Sequence, residues 1–122
     1  MRAASRFEKD FMEHVARRAG LSGTTGEDFA RMAYDRLSKG ADEYGEGSYL
    51  KKGPELFREL KEEAADIAAW GCLTCDYILN EPGLPEGIGS LINMQIVEAA
   101  ANALRAWHAI ALAQDQLAEH TL

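Results

Sequence analysis

PELFRELKEEAADIAAWGCLTCDYIL, residues 54–79, is the stretch on which the fold turns. Leu56, Leu60, Ala64, Ile67 and Ala68 recur at the three- and four-residue spacing of one helical face, while Glu59, Glu62, Glu63 and Asp66 crowd a neighbouring one. Pro54 suits the first helical position, where its missing N–H costs nothing. Gly71 marks a point where another helix can approach closely. Asn80-Glu81-Pro82-Gly83-Leu84-Pro85 stops the helix in a turn.

On the N-terminal side, Phe7, Phe11 and Val15 recur every four residues with Met12, Ala16 and Ala19 beside them, which predicts a helix over 3–19 that ends at Gly20. Thr24-Thr25-Gly26-Glu27 has the form of a capping box and predicts a second helix opening at Thr24. Its apolar side reads Phe29, Ala33, Leu37 and Ala41, with Tyr44 near the end and Gly45 and Gly47 as stops; residues 47–53 read as a loop. On the C-terminal side a helix is predicted from about Ser90 to about Glu119. Its apolar residues (Leu91, Ile92, Met94, Ile96, Val97, Leu104, Trp107, Ile110, Leu112, Leu117) spread around more than one stripe, which predicts burial on several sides. No segment alternates as a strand does. The expectation is an all-α, four-helix-type bundle in one domain over 1–122, assembled as a homodimer or homotetramer because one short chain can hardly cover so apolar a last helix.

The 122 residues carry 47% hydrophobic and 27% charged side chains, the make-up of a folded domain with enough chain for a core. A formal net charge of −7 argues against a nucleic-acid polymer as partner, since backbone phosphates call for a basic face. It leaves room for a phosphate-bearing small ligand, because a bound cation inverts the local charge logic. No run reaches the roughly 18 apolar residues of a membrane span, and the first residues lack a signal-peptide core, so the expected location is cytoplasmic with no membrane partner. Cys72 and Cys75 form a lone C-x-x-C. His14, His108 and His120 show no zinc-finger spacing, so the pair reads as two small residues packed in a helix. His108 beside Trp107 reads as structural.

The chemistry-bearing segment is residues 42–70. It holds two acidic pairs of equal spacing, Glu43-x-x-Glu46 and Glu63-x-x-Asp66. Residues three apart on a helix lie about 5–6 Å from each other, so each pair can aim two carboxylates at one point. Hard oxygen ligands clustered in this way suit Mg²⁺ or Mn²⁺. Glu59-x-x-Glu62 is a rival first pair, although it shares a helix with Glu63 and Asp66 and cannot face them across a cleft. Trp70 and Tyr44 are candidates for stacking on a base or for the core.

Glu63-x-x-Asp66 leading into Ile67-Ala68-Ala69-Trp70 resembles the second metal motif of the all-α nucleotide pyrophosphohydrolases, which include the MazG proteins, the dimeric dUTPases and the phosphoribosyl-ATP pyrophosphohydrolases. Their pattern is E-x-x-E, a connector, then E-x-x-D. Lys39-Gly40 and Tyr44-Gly45-Glu46 resemble small MazG-like proteins of bacteriophages, and the likeness covers about residues 30–79. One departure is that Gly45 and Gly47 flank Glu46, placing the first motif where the helix ends. The resemblance implies a Mg²⁺- or Mn²⁺-dependent enzyme that cleaves a nucleoside triphosphate to the monophosphate and pyrophosphate. Glu43, Glu46, Glu63 and Asp66 would be catalytic, with Glu59 and Glu62 as further metal ligands and Lys39, Lys51 and Lys52 as phosphate contacts.

The alternative is a non-enzymatic helical interaction protein that docks a partner through its apolar last helix, with the acids serving solubility. Against it stands the compactness of Glu59, Glu62, Glu63 and Asp66, which repel one another by roughly a few tenths of a kcal/mol per pair. Arg58 and Lys61 are interleaved and supply part of the neutralising charge.

Overall fold

A computed structural model describes the backbone of residues 3–44 and 53–120 and the side chains of 3–40 and 53–120. The described residues are all-α, with four helices and no strand: α1 (Arg6–Ala19), α2 (Thr24–Tyr44), α3 (Gly53–Leu79) and α4 (Ile88–His120). Two compact units divide the chain, residues 1–51 with α1 and α2, and residues 52–122 with α3 and α4. Each is a helical hairpin.

In the first unit α1 begins at a capping box. The Glu8 amide donates to Ser5 Oγ at 3.1 Å and the Ser5 amide donates to Glu8 Oε1 at 2.7 Å, satisfying two amides that the first turn would leave open. Gly20 ends the helix in the left-handed region, φ 73°, where a side chain would be strained. At the start of α2 the expected box on Thr24 does not form. The Glu27 amide instead donates to the Gly23 carbonyl at 3.1 Å, which puts Gly23 in the capping position and Thr24 inside the helix.

Which faces pack also differs from the expected stripes. Glu8 and Met12 are buried and Val15 and Ala16 half-buried, while Phe7 and Phe11 stand in solvent with their rings stacked at 6.4 Å. On α2 the covered side is Gly26, Ala30, Ala33, Tyr34, Leu37 and Ser38, and Phe29 is exposed. Small residues let the helices close on each other and the phenylalanines are turned outward.

The second unit repeats this logic over longer helices. Its covered seam joins Phe57, Lys61, Ala64, Gly71, Cys75 and Ile78 of α3 to Ile92, Ile96, Ala100, Ala103, Ile110 and Gln114 of α4, all buried or half-buried. Gly71 is the point of close approach expected of it, since a Cβ there would stand 3.2 Å from Ile96 Cγ2. The connection over 80–87 is the expected turn. It is tied by the Asn80 amide to the Tyr77 carbonyl, by Asn80 Nδ2 to the Asp76 carbonyl at 2.8 Å, and by the Ile88 amide to the Pro85 carbonyl. Of the side of α3 read as one apolar face, Ala64 is buried, whereas Leu56, Leu60 and Ile67 are exposed. On α4 only Ala103 is buried within the chain; Leu91, Met94, Val97, Leu104, Leu112 and Leu117 remain open.

Two substitutions check this packing. Gly71→Val places branched carbon against Ile96 and should lower stability by about 1–3 kcal/mol in a denaturant titration. Ser5→Ala removes the cap of α1 and should cost about 1 kcal/mol.

Candidate functional site

Five of the predicted site residues have described side chains: Lys39 on α2, and Glu59, Glu62, Glu63 and Asp66 on α3. Glu46, Lys51 and Lys52 lie outside the described residues, as does the side chain of Glu43, whose backbone forms part of the last turn of α2. Among the described residues no group of three or more His, Cys, Asp or Glu side chains is placed to hold a metal ion.

The four predicted acids of α3 share one broad side of the helix. Each step along a helix turns a side chain by about 100°, so Glu62 and Glu63 bound an arc of about 100° within which Glu59 and Asp66 fall. Arg58 Nε stands 4.0 Å from Glu62 Oε1 one turn earlier, and both line an open cleft with Pro54, Lys61, Trp107 and Gln114. That ion pair is exposed on both sides and is worth at most about 1 kcal/mol. Glu63 and Asp66 are exposed, Asp66 one turn after Glu62, and Glu59, one turn before Glu63, is half-buried.

The interleaved cations do not pair with Glu63 or Asp66. Arg58 is committed to Glu62, and Lys61 lays its ammonium over the Trp107 ring, 4.4 Å from the centroid. A cation over an indole face is attracted by the ring quadrupole, by about 0.5–1 kcal/mol at an exposed site. Among the described residues no cation stands within ion-pairing distance of Glu63 or Asp66. Lys39, expected on phosphate, pairs with Asp35 one turn earlier at 3.2 Å. This exposed pair is easily exchanged for a ligand.

The aromatic residues are placed differently from their reading in sequence. Trp70 is exposed on α3, and the Tyr44 side chain lies outside the described residues. Trp107 is the ring beside basic side chains, a pairing that crosses from α4 to α3 and leaves no local sequence signal. Cys72 and Cys75 lie on α3 as free thiols, the first exposed and the second half-buried, so Cys72 is less packed than expected. No helix among the described residues is long and apolar enough to cross a membrane.

Comparison of the chain with protein-family models, with curated proteins and with solved structures gives no match.

The unequal exposure of the two thiols has a direct readout. Brief treatment of the native protein with iodoacetamide should label Cys72 well before Cys75, as read by peptide mass spectrometry. Equal labelling would mean that the α3–α4 seam opens faster than the reagent reacts.

Proposed function

We propose that this chain is a divalent-metal-dependent nucleotide pyrophosphohydrolase that cleaves a nucleoside triphosphate to the monophosphate and pyrophosphate. The observation that carries the reading is the state of Glu63 and Asp66: two carboxylates, three residues apart on one exposed helical face, with the neighbouring cations committed elsewhere. Uncompensated like charges at this spacing disfavour the helix, and a cation offsets them.

The donor set fits a hard ion. Carboxylate oxygens suit Mg²⁺ or Mn²⁺. Glu63 and Asp66 would hold the metal together with Glu43 and Glu46, with Glu59 near enough on α3 to assist. When bound, the ion supplies neutralisation of the phosphate oxygens and polarisation of the attacked phosphorus. The chain's own part is to position the triphosphate and to accept a proton on one of these carboxylates as water attacks the α phosphorus and the bond to the pyrophosphate leaving group breaks. Lys39, released from Asp35, and Lys51 and Lys52 supply positive charge to the phosphates. Glu62, one turn before Asp66, would serve as a further ligand once its exposed pair with Arg58 is exchanged.

A second reading, a helical interaction protein, draws on a different observation, the large apolar side chains left open on α3 and α4. The two readings part on chemistry. With Mg²⁺ or Mn²⁺ and a panel of canonical and modified nucleoside triphosphates, the enzyme releases pyrophosphate; release from none of them would leave the interaction reading.

Metal dependence gives a second measurement. At about a hundred times its dissociation constant the ion should add roughly 2.7 kcal/mol to a one-site folded state, seen as a rise in Tm. Glu63→Gln or Asp66→Asn should remove that rise and cut turnover strongly, while Glu62→Gln, which changes a further ligand already paired with Arg58, should lessen both by a smaller margin. Equal shifts in all four proteins would reduce the acids to a solvated face.

A further inference from the structure

A cleft of about 440 Å³ opens on one flank of the second hairpin, where the first half of α3 faces the later half of α4. That volume falls in the range of small-molecule sites. Arg58, Lys61 and Glu62 line it from α3, and Trp107 and Gln114 line it from α4. A flat ring, two cations and an amide are what a nucleotide calls for. Its base has a π face for an indole and a polar edge for a carboxamide, which offers donors and an acceptor. Among the described residues the Gln114 carboxamide has no hydrogen-bond partner. Phosphate oxygens suit a guanidinium and an ammonium.

Both cations are held in pairs that a nucleotide can exchange. Arg58 Nε stands 4.0 Å from Glu62 Oε1 with both side chains exposed, a contact of small worth. Lys61 lies 4.4 Å over the Trp107 ring, and Trp107 is 40% exposed. A base stacked on an indole gains more than an exposed cation–π contact does. The base therefore takes the ring, and Lys61 carries its ammonium to the phosphates on a flexible stem. Resting on the pyrophosphohydrolase reading, we infer that this cleft seats the substrate nucleotide, with the base on Trp107 and Gln114 and the phosphates on Arg58 and Lys61.

The place of the cleft beside the acids agrees with this. Glu62 stands on its rim, and Asp66 follows one turn later, about 6 Å along α3. A nucleoside on Trp107 has its phosphates beside these carboxylates. The Arg58–Glu62 pair links the two halves of the site. When Glu62 turns to a metal ion, Arg58 loses its partner, and a phosphate oxygen supplies the missing negative charge. Metal and nucleotide thereby assist each other's binding. Trp107, Gln114, Arg58 and Lys61 hold the substrate, and the proton chemistry stays with the carboxylates.

The chain holds two tryptophans, so Trp70→Phe leaves Trp107 as the single indole fluorophore. The probes are nucleoside triphosphates of the common bases, with Mg²⁺, in which a methylene group replaces the α–β bridging oxygen so that they bind without being cleaved. At least one should quench Trp107. In calorimetric titrations Trp107→Leu should raise its Kd at least ~5-fold, and Arg58→Gln at least ~10-fold. Trp107→Tyr, which keeps an aromatic face, should recover most of the affinity, separating a lost platform from a lost fold. With cleavable triphosphates the same changes should raise KM more than they lower kcat. Quenching without pyrophosphate release would keep the cleft as a nucleotide site and remove the enzyme. Pyrophosphate release with a KM that Trp107→Leu and Arg58→Gln leave unchanged overturns the cleft and keeps the enzyme. Failure of every analogue to quench Trp107, or a Kd equal in all the variants, also overturns it.

Discussion

The close approach of α3 to α4 through Ala64, Gly71 and Ala103 sets everything else in the second unit. Small residues at the crossing bring the helix axes together, and the alanines among them are the buried side chains of these two helices. Large side chains cannot occupy the same seam. Leu56, Leu60, Ile67 and Trp70 are therefore rotated out of it, and most large apolar side chains of the hairpin are exposed. A helix pair with that distribution is half of a bundle, because each of its layers is stable only against another. The first unit shows the same choice, with Met12, Ala30 and Ala33 covered and Phe7, Phe11 and Phe29 open.

The same rotation fixes the electrostatics of the acids. Lys61 falls on the seam side of α3 and settles over Trp107, while Arg58 falls on the flank and settles on Glu62. Glu63 lies between Leu60 and Ile67, and Asp66 between Glu62 and Trp70, with no lysine among the described residues paired to either. A carboxylate at the edge of an apolar stripe becomes costly once that stripe is covered, unless a cation accompanies it. Covering the stripe and recruiting a cation are thus linked demands on one helical face.

Much of this was legible in the residues. Helix period, Gly20, Gly71 and the 80–85 turn placed the helices to within a few positions, because punctuation by glycine and proline is local chemistry; the stops at Gly45 and Gly47 and the loop over 47–52 lie outside the described residues. Ser5-x-x-Glu8 carried the same capping signal as Thr24-x-x-Glu27 and was the one that formed; choosing between them takes the backbone conformation. What periodicity could not decide was which of two stripes packs. On α3 the small set and the large set are both spaced as helix faces, and only the partner helix selects between them. The acid pair was likewise visible as Glu63-x-x-Asp66, but which acids the neighbouring cations pair with depended on where Arg58 and Lys61 point, which spacing alone leaves open.

Amide hydrogen exchange along α3, followed as a function of Mg²⁺ or Mn²⁺ concentration, tests most directly whether the acids of this helix hold a metal ion. Protection over residues 59–66 should rise as the ion is added, while the capped α1 changes less, because binding stabilises the folded helix by mass action. Protection of α3 that is the same at every concentration would contradict it, and would mean that Glu63 and Asp66 are only a solvated face.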